Sequence, residues 1–349
     1  MDRNSVLFSK IYGCLLGGIV GDAMGAPAED MTYDEVKEKF GYINDFEGAG
    51  TDDSAIKLIL CEAIIKSEGH VTADEFADAF LANKKKYYHL FYIPVRNMFH
   101  KIESKLTLPV YAGLGNMHSS SSAMSIAPMG IINACNPRQA ALETYDVAGL
   151  IHGGDSTFCR DGACVIAAAV AEAMRPGATI DSIVEASYSY LHKDSSAELL
   201  DRIHRTLKMV KDTGSYEKFR EEYYKTSLGD IVSDSRETVP RVLALFILSG
   251  ADAVTAIEYA ANFGRDADTI GTMVGAICGA FHGISSLKKD WIDRIEDSYG
   301  KTQISSLKNA VTEAKMPDQR DLAEALARIM QKKADEKKKC LAALDSLMA

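Results

Sequence analysis

A chain of 349 residues with 47% hydrophobic content can bury a large core, and no Pro/Ser/Gly linker or low-complexity run divides it. Its net charge of −10 argues against nucleic acid as a partner, because such a binder carries a basic face, and local acid clusters suit metal better. Seven scattered cysteines with no CxxC pair predict reduced thiols and a cytoplasmic protein. Residues 1–12 offer too short an apolar core for a signal peptide, and no uncharged run reaches the roughly 20 residues of a membrane helix, so no membrane is expected.

Apolar residues recur at helical spacing through most of the chain, and strand-type alternation is scarce. The first predicted helix, 7–25, has glycine on every fourth position: Gly13, Gly17, Gly21 and Gly25. Pro27 ends it, and Glu29 follows in a loop. The next helix opens at Thr51-Asp52-Asp53-Ser54, with Ile56 to Ile65 as its buried face, and a short one covers 74–80. Aromatics Tyr87, Tyr88, Phe91, Tyr92 and Phe99 mark 84–110 either as a partly buried helix face or as a lid that stacks on a purine.

Residues 112–125 read as a polar loop, 127–132 as the opening of another apolar segment, and 150–174 as another polar loop feeding an apolar helix. Two or three amphipathic helices fill 179–225. A further helix is expected to start near Pro240, since proline suits a first turn. Residues 251–261 lead into ANFGRDADTIGTMVGAICGAFHG, 261–283. Beyond Pro317 the tail is charged and helical, which sets the expected boundary between a domain over 1–315 and an extension over 316–349. Its lysines, Lys337 to Lys339, read as a solvated face, with an oligomer contact as the sharper alternative.

The stretch 261–283 organises the rest. Asp266 and Asp268 lie two residues apart, and two like charges that close repel unless a cation or proton sits between them. Behind them Gly271, Gly275, Gly279 and Gly283 form a second stripe, although each glycine costs a helix roughly 1 kcal/mol against alanine. Such a stripe calls for a neighbouring backbone at close range, and the first helix is the candidate partner. Thr51-Asp52-Asp53, Asp266-Ala267-Asp268-Thr269 and the Asp22/Glu29 region then offer only oxygen ligands, which suits Mg²⁺, Mn²⁺ or Ca²⁺ and not structural Zn²⁺. Two ions sharing a bridging aspartate balance so many carboxylates better than one.

The sequence resembles the ADP-ribosylglycohydrolase family over about residues 10–285. The resemblance rests on GCLLGGIVGDAMGAPAE, on GTDDS, on the GN loop leading to SAMSIAPMG, and on DADTIG with GAICGAFHG. It implies an all-α, compact orthogonal helical bundle with a dimetal cleft. It implies one Mg²⁺ or Mn²⁺ ion on Thr51, Asp52, Asp53 and Asp268, and another on Asp52, Asp266, Asp268 and Thr269. Glu29 matches the glutamate near the scissile bond. Four departures stand out: Ser54 in place of the usual threonine, Arg265 in place of glycine, Ser125 in place of arginine, and extra acids Asp155 and Asp161 near His152.

That centre suits cleavage of a glycosidic bond in an ADP-ribosyl or related ribosyl substrate, small-molecule or protein-linked. Glu29, Asp52 and Asp53 are the candidate catalytic carboxylates. Gly115, Asn116 and the Ser119–Ser122 run, Ser121 among them, offer donors for a diphosphate. Arg265 is either an added anion contact or a partner that neutralises Asp266. His152 is either structural or a ribose or base contact. Competing readings are a hydrolase of another N- or O-glycoside and a non-catalytic, crystallin-like member.

Overall fold

A computed structural model describes residues 2–300 and 318–348. Its helices begin with α1 (Val6–Gly25), α2 (Tyr33–Phe40), α3 (Asp52–Lys66), α4 (Ala73–Ala82), α5 (Lys84–Tyr87) and α6 (Ile93–Glu103). The middle of the chain gives α7 (Ala127–Ile132), α8 (Pro137–Val147), α9 (Thr157–Ala173), α10 (Ile180–Tyr188), α11 (Ala197–Thr213) and α12 (Tyr216–Thr226). Then come α13 (Ser235–Leu248), α14 (Ala253–Phe263), α15 (Ala267–His282), α16 (Lys289–Gly300) and α17 (Gln319–Met348). Among the described residues the only β pairing is an isolated bridge between Leu114 and Gly153. The fold is all-α, as expected. The expected domain boundary at 315/316 and Pro317 lie outside the described residues.

Local chemistry explains many of the starts. Ser5 accepts the Phe8 N–H to open α1, and Thr32, Thr72 and Thr179 form reciprocal capping boxes at α2, α4 and α10. Pro240 does not start its helix: α13 begins at Ser235, where Asp234 accepts the Arg236 N–H, and the proline sits inside. A capping aspartate outranks a first-turn proline as a start signal here.

The two glycine stripes meet. A Cβ on Gly17 would lie 2.2 Å from the Gly275 carbonyl oxygen, and one on Gly271 would lie 2.4 Å from that of Gly21. Gly13 and Gly279 approach in the same way. The α1 and α15 backbones therefore touch directly, which only residues without a side chain permit. α14 and α13 also pack on α15, and α17 packs on α1, with Leu322, Ala323, Leu326 and Ala327 of α17 buried. The segment Val6–Ala28 is long and apolar enough to cross a membrane by length and composition, but most of it is buried inside this body.

Candidate metal centre

The contact between α1 and α15 sets the geometry of the site. At its end a Cβ on Gly25 would meet the Asp268 nitrogen at 2.3 Å, so the C-terminus of α1 abuts the N-terminus of α15. That brings Asp22, and Glu29 on the following loop, beside Asp266 and Asp268. The start of α3 joins them through an unusual cap. Thr51 is its N-cap residue but makes no side-chain cap bond. Asp22 caps it from α1 instead, accepting the Thr51 N–H at 2.9 Å and the Ser54 N–H at 3.0 Å. Gly50 holds φ at +100°, where any Cβ would strike the Asp22 carboxylate at 2.4 Å.

Two carboxylate triads result. In Asp22, Asp53 and Asp268, one oxygen from each lies within 4.8 Å of the others, and the same holds for Glu29, Asp266 and Asp268. Asp268 belongs to both. No hydrogen bond reaches the buried Asp53 Oδ1 or Asp266 Oδ2. Orphaned buried carboxylate oxygens are costly unless a cation completes them, and an all-oxygen donor set fits a hard divalent ion. Burial, then the neighbouring acids, pushes Asp53 and Asp268 well above the usual carboxylate range; burial and Glu29 do the same to Asp266. Burial is also the first cause that lifts Glu29, at the rim, to about 7, with Asp30 and Asp22 adding to it. Asp52 reaches about 7 through burial, Asp22 and Glu29. These acids resist ionising together, which is the state of an acid cluster awaiting positive charge.

Asp53, Asp266 and Asp268 of the triads lie at the floor and Glu29 at the rim of a cleft of about 570 Å³ that Thr51, Asp52, Thr269, Ser120 and Ser121 also line, with Asp22 buried behind them. The expected metal and catalytic residues thus converge, although Asp52 stands beside the triads and not within either. Four expected substrate contacts do not reach the cleft. Gly115 lies exposed, outside its lining. Asn116 is buried and spends its side-chain N–H groups on the Pro94 and Ile151 carbonyls. His152 is fully buried between the Ser119 and Ser122 hydroxyls, and burial, then His118, pulls its pKa down to about 3.

Arg265 is the fourth. Its guanidinium grips both Glu237 oxygens, at 3.0 and 2.9 Å, and donates to the Gly229 carbonyl at 2.7 Å. It pairs with an acid, as one reading expected, but the acid is Glu237 and not Asp266. The i,i+4 spacing within α13 marks the Glu237–Arg241 pair, but nothing local marks the second arginine on Glu237, Arg265, which comes from 28 residues away. Asp22 had a signal: a buried-face position on a glycine helix is a poor place for a solvated acid.

The fold and the cleft together define an all-helical protein whose acids could hold divalent cations. The ADP-ribosylglycohydrolase family model matches residues 3–340, and the chain belongs to that family of hydrolytic enzymes. It is 29% identical to the uncharacterized protein YegU of Escherichia coli K12, over 80% of this chain and 89% of that protein. It is 23% identical to the ADP-ribosyl-[dinitrogen reductase] glycohydrolase of Rhodospirillum rubrum, over 82% and 90%. The same identity links it to ADP-ribosylhydrolase ARH3 of Bos taurus, over 85% and 91%. Among solved structures, an ADP-ribosylglycohydrolase-related protein complex superposes with a TM-score of 0.66 at 19% identity, covering 93% of this chain and 98% of that one.

Proposed function

We propose that this chain hydrolyses the glycosidic bond of an ADP-ribosyl or related ribosyl substrate at a binuclear Mg²⁺ or Mn²⁺ centre. The observation that carries this reading is the pair of carboxylate triads sharing Asp268, which lies in the lining of one cleft with Glu29, Asp53 and Asp266. Relatives named for removing ADP-ribose support the substrate class. Asp22, Asp53 and Asp268 would hold one ion, and Glu29, Asp266 and Asp268 the other, with Thr51 and Thr269 adding hydroxyls. Bound there, such ions supply Lewis acidity toward sugar hydroxyls and lower the pKa of water.

The chain's own groups do the rest. Glu29 stands at the rim, where a carboxylate oxygen not taken up by the ion is placed to stabilise positive charge at the anomeric carbon. Asp52 is the candidate for proton transfer, since it belongs to neither triad, lines the same cleft and is lifted to about 7 by burial and the acids Asp22 and Glu29. Asp53 has a buried orphan oxygen and serves as a ligand in this assignment. Seven free thiols, five of them buried, support a reducing, cytoplasmic setting.

The test is a panel of arginine-linked and serine-linked ADP-ribosyl peptides, nucleotide sugars and nucleosides, each with Mg²⁺, Mn²⁺ or chelator. Metal-dependent release of ADP-ribose is expected from at least one ADP-ribosyl peptide. Release from nucleosides alone would move the protein to another glycosidase class. Calorimetry showing no metal bound would remove the catalytic reading.

A further inference from the structure

The cleft has two chemically different sides. One side carries Glu29, Asp30, Asp52, Asp53, Asp266 and Asp268, and among the described residues Arg96 is the one cationic side chain in its lining. Arg96 sits in the first turn of α6 and donates one N–H to the His89 carbonyl at 3.0 Å. It forms no ion pair among the described residues, although six carboxylates share its cleft. Its remaining N–H donors are free for a solute. Beside it, Tyr92 is 40% exposed and Ile93 53% exposed, both lining the cleft.

This side is rigid underneath. Phe91 is buried against Phe80 and Phe99, with ring centroids 5.4 and 6.2 Å away, and Tyr88 packs on Phe99 at 5.0 Å. Most of the aromatics in this stretch therefore serve the core, and Tyr92 is left facing the cleft. The wall also adjoins the acids, because Tyr92 and Asp52 line the same cleft. A ligand seated with its sugar on the floor would meet the guanidinium on the α6 side. The contacts expected elsewhere are spent: Asn116 and His152 on packing, Arg265 on Glu237.

We propose that the first turn of α6 is the recognition wall for the substrate: Arg96 binds a phosphate group, and Tyr92 with Ile93 takes the flat apolar part beyond it. The ligand class is a phosphorylated riboside carrying an aromatic base. This rests on the ribosyl-hydrolase reading above.

The experiment is calorimetric titration of ADP-ribose and of adenosine into the full chain with saturating Mg²⁺, for wild type, Arg96→Gln, Arg96→Lys and Tyr92→Ala. Loss of a charge-assisted contact predicts roughly tenfold weaker ADP-ribose binding for Arg96→Gln, with adenosine unaffected. Arg96→Lys should recover part of the loss, since the charge remains without the fork. Tyr92→Ala should weaken both ligands. Arg96 is exposed and carries one hydrogen bond, so melting temperatures should match wild type. Wild-type binding of ADP-ribose with Arg96→Gln unchanged overturns this inference alone. Failure of the wild type to bind ADP-ribose overturns the functional reading together with it.

Discussion

Arg265 holds its backbone at φ +64°, a region that costs a non-glycine residue about 1–3 kcal/mol. The return on that strain is a three-way clip. Its N–H donates to the Met31 carbonyl at 2.6 Å, its own carbonyl accepts the Asp30 N–H at 2.8 Å, and its side chain binds Glu237 and Gly229. The clip ties the Glu29 loop to the turn bearing Asp266. Arg265→Gly relieves the backbone and loses charged hydrogen bonds worth roughly 1.5–3 kcal/mol, so the two effects nearly offset. The expected outcome is a melting temperature within a few degrees of wild type, a weaker Mg²⁺ midpoint, and an unchanged ADP-ribose Kd at saturating Mg²⁺. A weakened Kd with an unmoved midpoint would instead make Arg265 a substrate contact. A second prediction concerns Asp266, whose Oδ2 is buried and unpartnered. Without metal, Asp266→Asn should stabilise the chain near neutral pH, because it removes one ionisable carboxyl from a buried cluster whose charges repel. Scanning calorimetry should also find the stabilisation by Mg²⁺ or Mn²⁺ lost. The sign with pH follows from Glu29 and Asp52, held to about 7 in the fold against about 4 unfolded. Between those values the folded chain keeps protons that the unfolded chain has released, so metal-free stability falls as pH rises from about 4 through 7. His152, at about 3 folded against about 6.5 unfolded, pushes the other way below 6.5, but it is one group against several. Metal should reverse the trend by binding the ionised acids, giving a larger thermal shift at pH 8 than at pH 5.5.

At the scale of elements, α1 against α15 decides whether the acids meet at all. Gly17→Ala places a Cβ 2.2 Å from a backbone oxygen of α15, and backbone at a helix contact cannot step aside cheaply. The helix-propensity gain of about 1 kcal/mol from alanine is small beside a forced separation of two core helices. Gly18 is the control: its Cβ would meet the end of the Lys57 side chain at 3.0 Å, an atom able to shift. Denaturant unfolding should show Gly17→Ala destabilised by more than about 3 kcal/mol and Gly18→Ala by under about 1.5. Equal effects would mean that the stripes do not set the helix spacing. This pairing was legible in sequence because a residue that weakens helices, repeated at helical spacing in two segments, makes sense only where two backbones touch. The start of α3 and the Asp266–Thr269 turn were legible for a similar reason, as acids crowded beyond what capping needs. The Asp22 cap on α3 was not, since it joins residues 29 apart through a fold that has to exist first. Nor were the fates of Asn116 and His152 legible: a polar side chain in a loop reads the same whether it meets solute or the carbonyls of a neighbouring segment. Arg96 passed unnoticed because nothing local distinguishes an unpaired surface arginine from a paired one.

For the molecule as a whole, α17 raises the question of where the body ends. Its first half is integral: Leu322, Ala323, Leu326 and Ala327 are buried, and the Lys333 ammonium reaches both Glu143 oxygens, at 2.7 and 3.0 Å, and Asn133 at 3.1 Å. Lys333 is itself buried, so removing it from the pair costs more than breaking a surface ion pair, whose median worth lies near 0–1 kcal/mol. Beyond Glu336 every described residue is exposed, with Leu341, Leu344, Leu347 and Met348 among them. Two truncations separate the halves. Ending the chain after Lys338 removes no buried side chain, so the melting temperature and metal-induced shift should stay within about 1 °C of the full chain. Ending it after residue 317 uncovers the face of α1 that α17 packs on and leaves Glu143 without its ammonium. Burial of four small apolar side chains, at about 25 cal/mol per Å², together with the lost ion pair, predicts several kcal/mol of destabilisation. Because α1 carries Asp22 toward the cleft, the weakened support should also lower Mg²⁺ affinity. If the longer truncation melted like the full chain and bound metal as tightly, α17 would be an appendage resting on a self-sufficient body. If the shorter one alone lost stability in a concentration-dependent way, the exposed leucines would be the contact between copies.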